Sequence, residues 1–283
     1  MSVNHILVVG SGVMGRGIAY SAALGGYQVT LSDISPSAIE NAQNEIEQLF
    51  AKDVERGRIL SKEAKDASSR LTYSTALQNS AALADFVIEA VPEVMSIKKD
   101  IFEKLDQYTP SHTILATNTS TMSPTEIGSY TKRSDRTIAM HFFNPVHKMR
   151  LVEIIRGLET SDETLRITQE VAYQMGKETV GVNEFPGFVT SRISSLVGNE
   201  AFNMLMEGVG TAEEIDKAIE LGLNYPMGPF KLGDMVGLDT RLKNLEYLHK
   251  TLGEKYRPSP LLVKYVKSGR LGRKTGKGVY NYT

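Results

Sequence analysis

The chain has 283 residues, which at about 150 residues per domain implies two domains, each large enough to bury a core. Its 32 Lys and Arg against 33 Asp and Glu leave a net charge of -1, so the charge balance points to neither nucleic acid nor an anionic membrane. There is no cysteine, which excludes disulfides, a thiolate nucleophile and Cys-ligated zinc or iron–sulfur centres. No run approaches the ~18 apolar residues of a membrane span. Gly10, Gly12 and Gly15 interrupt the apolar start where a signal peptide would carry its helical core. A cytoplasmic protein is expected.

Short apolar runs recur at 6–9, 29–31, 86–91, 114–116, 138–140 and 151–155, with helical patterns between them. The runs are continuous rather than alternating, so the strands are expected to be buried on both faces, as in a mostly parallel sheet. Residues 34–70 hold two charged helical patterns, 37–56 and 62–68, with Ser61 the expected N-cap of the second. One crossover helix needs far fewer residues, and the excess reads as a helical hairpin projecting from the sheet. At Glu184-Phe185-Pro186-Gly187 the strand signals stop. Beyond it Phe188, Ile193, Leu196, Val197, Ala201, Phe202 and Leu205 follow a helical period, and only helices are expected to the end. The expected division is a nucleotide-binding domain over 1–185 and an all-α domain over 186–283. Met204 and Met206 read as core or subunit-interface packing.

The strand His5-Ile6-Leu7-Val8-Val9 runs into Gly10-Ser11-Gly12-Val13-Met14-Gly15 and then a helical pattern. Asp33 ends the next strand 18 residues after Gly15, near the ~20 expected of a ribose-binding acid. The glycines allow a tight turn, bring backbone N–H groups onto a pyrophosphate at a helix N-terminus, and let the helix pack closely on the strand. The expected fold is therefore α/β. It is a Rossmann-type doubly wound, mostly parallel sheet with a helical-hairpin insertion, followed by an all-α C-terminal domain. Gly10, Gly12, Val13, Met14, Gly15 and Asp33 are the expected cofactor-binding residues. A carboxylate accepts two ribose hydroxyls but repels a 2′-phosphate, so NAD is expected over NADP.

A second constellation is His141-Phe142-Phe143-Asn144-Pro145, with Glu153 twelve residues on from His141 in Leu151-Val152-Glu153-Ile154-Ile155. A Glu flanked by apolar residues in a buried strand is costly unless its charge is paired. His141 ends a nearby strand at the sheet's carboxyl edge. Such a pair makes sense as a general base with its orienting acid, although a lone His also reads as a satisfied core histidine.

These two blocks, with Asn118-Thr119-Ser120, Pro186-Gly187-Phe188, Tyr225-Pro226-Met227-Gly228-Pro229-Phe230 and Gly272-Arg273-Lys274-Thr275-Gly276-Lys277-Gly278, resemble the L-3-hydroxyacyl-CoA dehydrogenase family over essentially the whole chain. The resemblance implies a short-chain substrate, 3-hydroxybutyryl-CoA, with acetoacetyl-CoA as its oxidised partner. It implies that His141 takes the 3-hydroxyl proton while hydride passes to NAD, with Glu153 holding the imidazole. Ser120 and Asn144 would touch the hydroxyl, the acyl carbonyl and the nicotinamide end; turn capping is their plain alternative. Asn118, Glu93 and Lys98 would lie by the cofactor, and Lys274 would reach it from the C-terminal tail, where ordinary surface charge is the competing reading. Lys52 and Arg56 would meet the phosphates of coenzyme A, or else form a solvated helix face.

In one place the chain departs from the family. After Phe188 the family shows Val-Asn-Arg, and here Thr190-Ser191-Arg192 stands, so the group near the thioester is a hydroxyl at Ser191. No metal is required, because a secondary alcohol needs one base and a few hydrogen bonds while the cofactor carries the electrons. The resemblance also implies a homodimer through the helical domain. The basic stretch 264–277 invites a nucleic-acid reading that the balanced total charge opposes. The same fold and dyad would serve a free hydroxy acid such as a sugar acid. A non-catalytic NAD-binding protein is a third reading, opposed by the joint presence of His141, Glu153, Ser120 and Asn144.

Overall fold

The computed structural model describes residues 3–282. Its chain divides into two compact units, Met1–Glu184 and Phe185–Thr283.

The first unit is built on an eight-stranded sheet of order β3-β2-β1-β4-β5-β6-β7-β8. The strands are β1 His5–Val9, β2 Gln28–Ser32, β3 Leu71–Ser74, β4 Phe86–Glu89, β5 Ile114–Thr117, β6 Thr137–Phe142, β7 Leu151–Arg156 and β8 Glu178–Asn183. All neighbours run parallel except β6 and β7. The helices are α1 Val13–Leu24, α2 Pro36–Glu55, α3 Ser61–Ser69, α4 Leu77–Ala81, α5 Met95–Tyr108, α6 Pro124–Gly128 and α7 Asp162–Gln174. The continuous apolar runs are explained by helices on both faces. In β1, Ile6 and Val8 join one buried cluster with Ile18, Ala42 and Ile167, while Leu7 and Val9 join another with Phe102, Leu105 and Ile127. Each fully buried aliphatic or Phe side chain contributes roughly 1.5–3 kcal/mol. Because β2 and β4 flank β1 on opposite sides, the chain reverses its winding there. The crevice outside the carboxyl ends is then the natural ligand site.

Several expectations need correction. Strands β3 and β8 lie at the two sheet edges, where partial exposure removes the continuous apolar run that marks a buried strand. The strand expected at 86–91 ends at Glu89. Ser61 is the first residue of α3 and Leu60 holds the cap position, where its N–H is accepted by the Glu63 carboxylate at 2.7 Å. The hairpin α2–α3 is folded down on one side: Ala42, Ile46, Phe50, Ala64 and Ala67 are buried, and Phe50 packs on Tyr20 of α1 at 4.5 Å between ring centroids. Its outer face alone projects.

The second unit is made of α8 Thr190–Glu207, α9 Ala212–Gly222, α10 Pro229–Val236, α11 Leu238–Leu252 and α12 Pro260–Lys267. Isolated β-bridges also form, Gly272 to Lys277 and Lys277 to Asn281, so the unit is not purely helical. Its core gathers Phe202, Phe230, Leu245, Leu248, Tyr256 and Leu262. Met204 is partly buried against that core and Met206 is exposed. Two buried carboxylates organise the rest. Asp216 accepts the Phe230 and Lys231 N–H groups at 2.8 and 3.1 Å and the Tyr280 hydroxyl at 2.8 Å. Asp234 accepts the N–H groups of Val279 and Tyr280, both at 2.9 Å, and the Tyr282 hydroxyl at 3.0 Å. A Cβ on Gly278 would fall 2.0 Å from Asp234 Oδ1, and one on Gly228 would fall 2.3 Å from Asp216 Cγ. These two motif glycines are needed so that the backbone can press onto the acids.

Candidate active site

At the end of β1 the backbone turns with Gly10 at φ +100°, and the Gly10 N–H donates to Ser32 O at 2.7 Å. A Cβ on Gly10 would sit 2.7 Å from Ala90 O, and one on Gly15 would sit 1.8 Å from Gly10 O, so neither position admits a side chain. Over Gly12, in contrast, there is open space within 4 Å. That gap lies at the N-terminus of α1, whose first turn carries no acid, and it suits a pyrophosphate cradled by backbone N–H groups. Asp33 follows β2. Its Oδ2 accepts both the N–H and the hydroxyl of Ser11 at 2.8 Å, and Oδ1 accepts the Ser35 N–H at 3.1 Å. Burial works against its charge, but the Ser11 and Ser35 hydrogen bonds prevail and hold the carboxyl below its ordinary range. Ser11, the variable position of the glycine turn, was not singled out by the motif, yet it orients this acid.

Next to that turn, at the ends of β4 and β5, is a buried charged network. Lys98 is fully buried, and its ammonium donates to both oxygens of Glu89 at 2.9 Å and pairs with Glu93 at 3.2 Å. Burial opposes the ammonium, but Glu89 and Glu93 outweigh it and keep Lys98 above its usual value. Glu89, also fully buried, takes further hydrogen bonds from Thr117 Oγ1 at 2.6 Å and Val91 N at 2.8 Å. Glu93 accepts the Ser120 N–H at 3.0 Å and the Thr119 hydroxyl. Glu93, Lys98 and Ser120 are therefore brought together around a residue that the sequence reading passed over, Glu89. Its signal is in the sequence: it is an acid inside the otherwise apolar run 86–91, as Glu153 is inside 151–155.

The third part is the antiparallel pair β6–β7, whose register sets His141 directly opposite Glu153. His141 Nδ1 and Glu153 Oε2 are 2.7 Å apart, with the carboxylate fully buried and the imidazole 9% accessible. The His141 ring also packs on Phe143 at 4.5 Å between centroids. Asn118 ties the strand ends together, its N–H donating to Glu89 O at 2.7 Å and its Oδ1 accepting the Phe142 N–H at 3.0 Å. Ser120 is half-buried and Asn144 exposed, on the loops that leave β5 and β6.

The remaining candidates are carried by other elements. Lys52 is exposed in the last turn of α2, and Arg56, also exposed, caps that helix from just beyond its end. In the second unit, Ser191 is half-buried in the first turn of α8. Lys274 donates to both oxygens of Asp239 at 2.6 and 2.7 Å.

A glycine turn at a helix N-terminus, an acid after the second strand and a buried His–carboxylate pair, all on one doubly wound sheet, define a nicotinamide-nucleotide dehydrogenase. The comparisons narrow that class. Residues 5–185 match the model of the 3-hydroxyacyl-CoA dehydrogenase NAD-binding domain, and residues 187–282 match that of its C-terminal domain. The chain is 47% identical to a probable 3-hydroxybutyryl-CoA dehydrogenase of Bacillus subtilis, covering 100% of this chain and 98% of that one. It is 37% identical to the human mitochondrial hydroxyacyl-coenzyme A dehydrogenase, covering 99% and 91%. The solved (S)-3-hydroxybutyryl-CoA dehydrogenase of Ralstonia eutropha superposes with a TM-score of 0.95 at 41% identity, covering 100% of both chains. The chain belongs to the 3-hydroxyacyl-CoA dehydrogenase family.

Proposed function

We infer that the protein interconverts a short-chain L-3-hydroxyacyl-CoA, in the first place 3-hydroxybutyryl-CoA, and its 3-oxoacyl-CoA with NAD. The observation that carries this reading is the 2.7 Å pair of His141 and the fully buried Glu153. With Nδ1–H donated to Glu153, the tautomer and plane of the ring are set, and Nε2 is the atom that exchanges a proton with the 3-hydroxyl. In oxidation His141 accepts that proton. In reduction the imidazolium returns it, with Glu153 stabilising the charged ring. Ser120 and Asn144 supply hydrogen bonds to the substrate oxygen and to the acyl carbonyl. NAD, when bound, supplies the hydride acceptor. Gly10, Gly12, Val13, Met14 and Gly15 would hold its pyrophosphate, Asp33 its adenosine ribose, and Glu93, Lys98 and Asn118 its nicotinamide side.

Lys52 and Arg56 are proposed to meet the phosphates of coenzyme A, Ser191 the thioester, and Lys274 the cofactor after exchange of its Asp239 partner. A homodimer through the helical unit is proposed on the exposed apolar side chains of Val189 and Ile193, which with Tyr225 border a cavity of about 310 Å³. Among the described residues no helix is long and apolar enough to cross a membrane, and the cytoplasm is the proposed compartment. The test is NADH oxidation with acetoacetyl-CoA against free acetoacetate. Turnover of the thioester alone is expected, and equal turnover of the free acid would overturn the assignment.

A further inference from the structure

The loop 143–150 joins the strand of His141 to the strand of Glu153, and it carries Asn144. It turns sharply, with the N–H groups of Lys148 and Met149 both donating to Pro145 O at 3.0 and 3.1 Å. On one side it touches α1 with nothing between: a Cβ on Gly17 would lie 2.8 Å from Val146 Cβ, and the His147 ring stands edge-on to Tyr20 at 6.2 Å. On the other side is Lys177, in the turn between α7 and β8. It is 6% exposed, and its ammonium donates to Val146 O at 2.5 Å and to Met149 O at 3.0 Å. Among the described residues no carboxylate pairs with it, and burial pushes it down to about 8. A lysine taken out of water for two main-chain carbonyls and no counter-charge is unfavourable in itself, and both of its acceptors belong to this one loop.

We propose that Lys177 is a positioning residue of the active site: its ammonium clamps the loop 143–150 against α1 and so holds Asn144 and the His141–Glu153 pair in working register. The proposal rests on the catalytic reading above. His141→Gln tests that reading separately, and amide exchange reports on the clamp without reference to turnover.

The experiment compares the full chain with Lys177→Met, which keeps the stem and removes the donors, and with Lys177→Arg, which keeps charge and donors. For Lys177→Met, kcat with acetoacetyl-CoA is expected to fall by about tenfold or more while KM for NADH stays within about twofold. Amide exchange in 143–150 should accelerate while that of β1 and β4 is unchanged. Lys177→Arg should recover most of both. A folded Lys177→Met with wild-type kcat, a rate loss without faster exchange in the loop, or an Arg variant no better than Met overturns the clamp. If neither variant folds, the wild type decides. Amides of Lys148 and Met149 exchanging as slowly as those of β6 support the clamp, and exchange at the rate of an open loop refutes it.

Discussion

Glu153 faces the imidazole of His141 from the next strand at 2.7 Å, and on the proposed mechanism this contact lets the ring take up and return a proton. His141→Gln is expected to lower kcat by roughly 10²–10⁴-fold, the range of a lost general base. Glu153→Gln should cost less, since the ring keeps a partner but loses its counter-charge. NADH binding by fluorescence should stay near wild type in both, and a His141→Gln enzyme that keeps most of its turnover would remove the chemical basis of the assignment. Asp33 is the residue proposed to set the choice of cofactor. Asp33→Ser with Ile34→Arg removes the repelling carboxylate, and Ile34 is 91% exposed, so a guanidinium there has room to meet a 2′-phosphate. The ratio of kcat/KM for NADH to that for NADPH should fall. A wild type that already prefers NADPH would refute the ribose assignment.

Among the elements, α2 has a buried face and an exposed one. Ala42, Ile46 and Phe50 fill the core, and Lys52 with Arg56 beyond the helix end stays exposed. Replacing both cations by Ala should raise KM for acetoacetyl-CoA with much less effect on a pantetheine thioester that lacks the nucleotide phosphates. Equal losses on the two substrates would make that face plain surface. The α7–β8 turn carries a pH dependence of its own. Lys177 sits at about 8 in the fold against 10.5 when unfolded. Between those values the unfolded chain binds a proton that the fold does not, so stability rises with pH there. The penalty, on the order of 3 kcal/mol, is present in full well below pH 8 and gone well above 10.5. Denaturant unfolding at pH 7, 8.5 and 10 should show the wild type gaining on Lys177→Met as the pH rises, whereas a constant difference would mean that the ammonium is not desolvated.

At the scale of the whole molecule the proposal to test is the homodimer. Val189, at the N-cap of α8, and Ile193, in its first turn, are each 53% exposed and border one apolar cavity, which makes them the candidate contact surface. Val189→Asp with Ile193→Asp is expected to convert a dimer into monomers in sedimentation velocity, with little change in thermal midpoint beyond that from lost association. A wild type that sediments as a monomer at micromolar concentration would refute the dimer.

The glycine turn, Asp33, the central strands and the helical character of the second unit were legible from local pattern, because each follows from the period of apolar residues and from backbone freedom at a few positions. Strands β3 and β8 were not legible, since an edge strand lacks burial on both faces and so lacks the continuous run. Glu89 carried the same signal as Glu153, but its meaning depends on Lys98 arriving from α5 to neutralise it. The reversal between β6 and β7, which turns two residues twelve apart into a cross-strand pair, and the seating of Lys177 on carbonyls about thirty residues away in sequence, were likewise decided by the assembled sheet. Hydrogen bonds and charge pairs between distant segments form only when the sheet brings them within about 3 Å, and no local pattern encodes that distance.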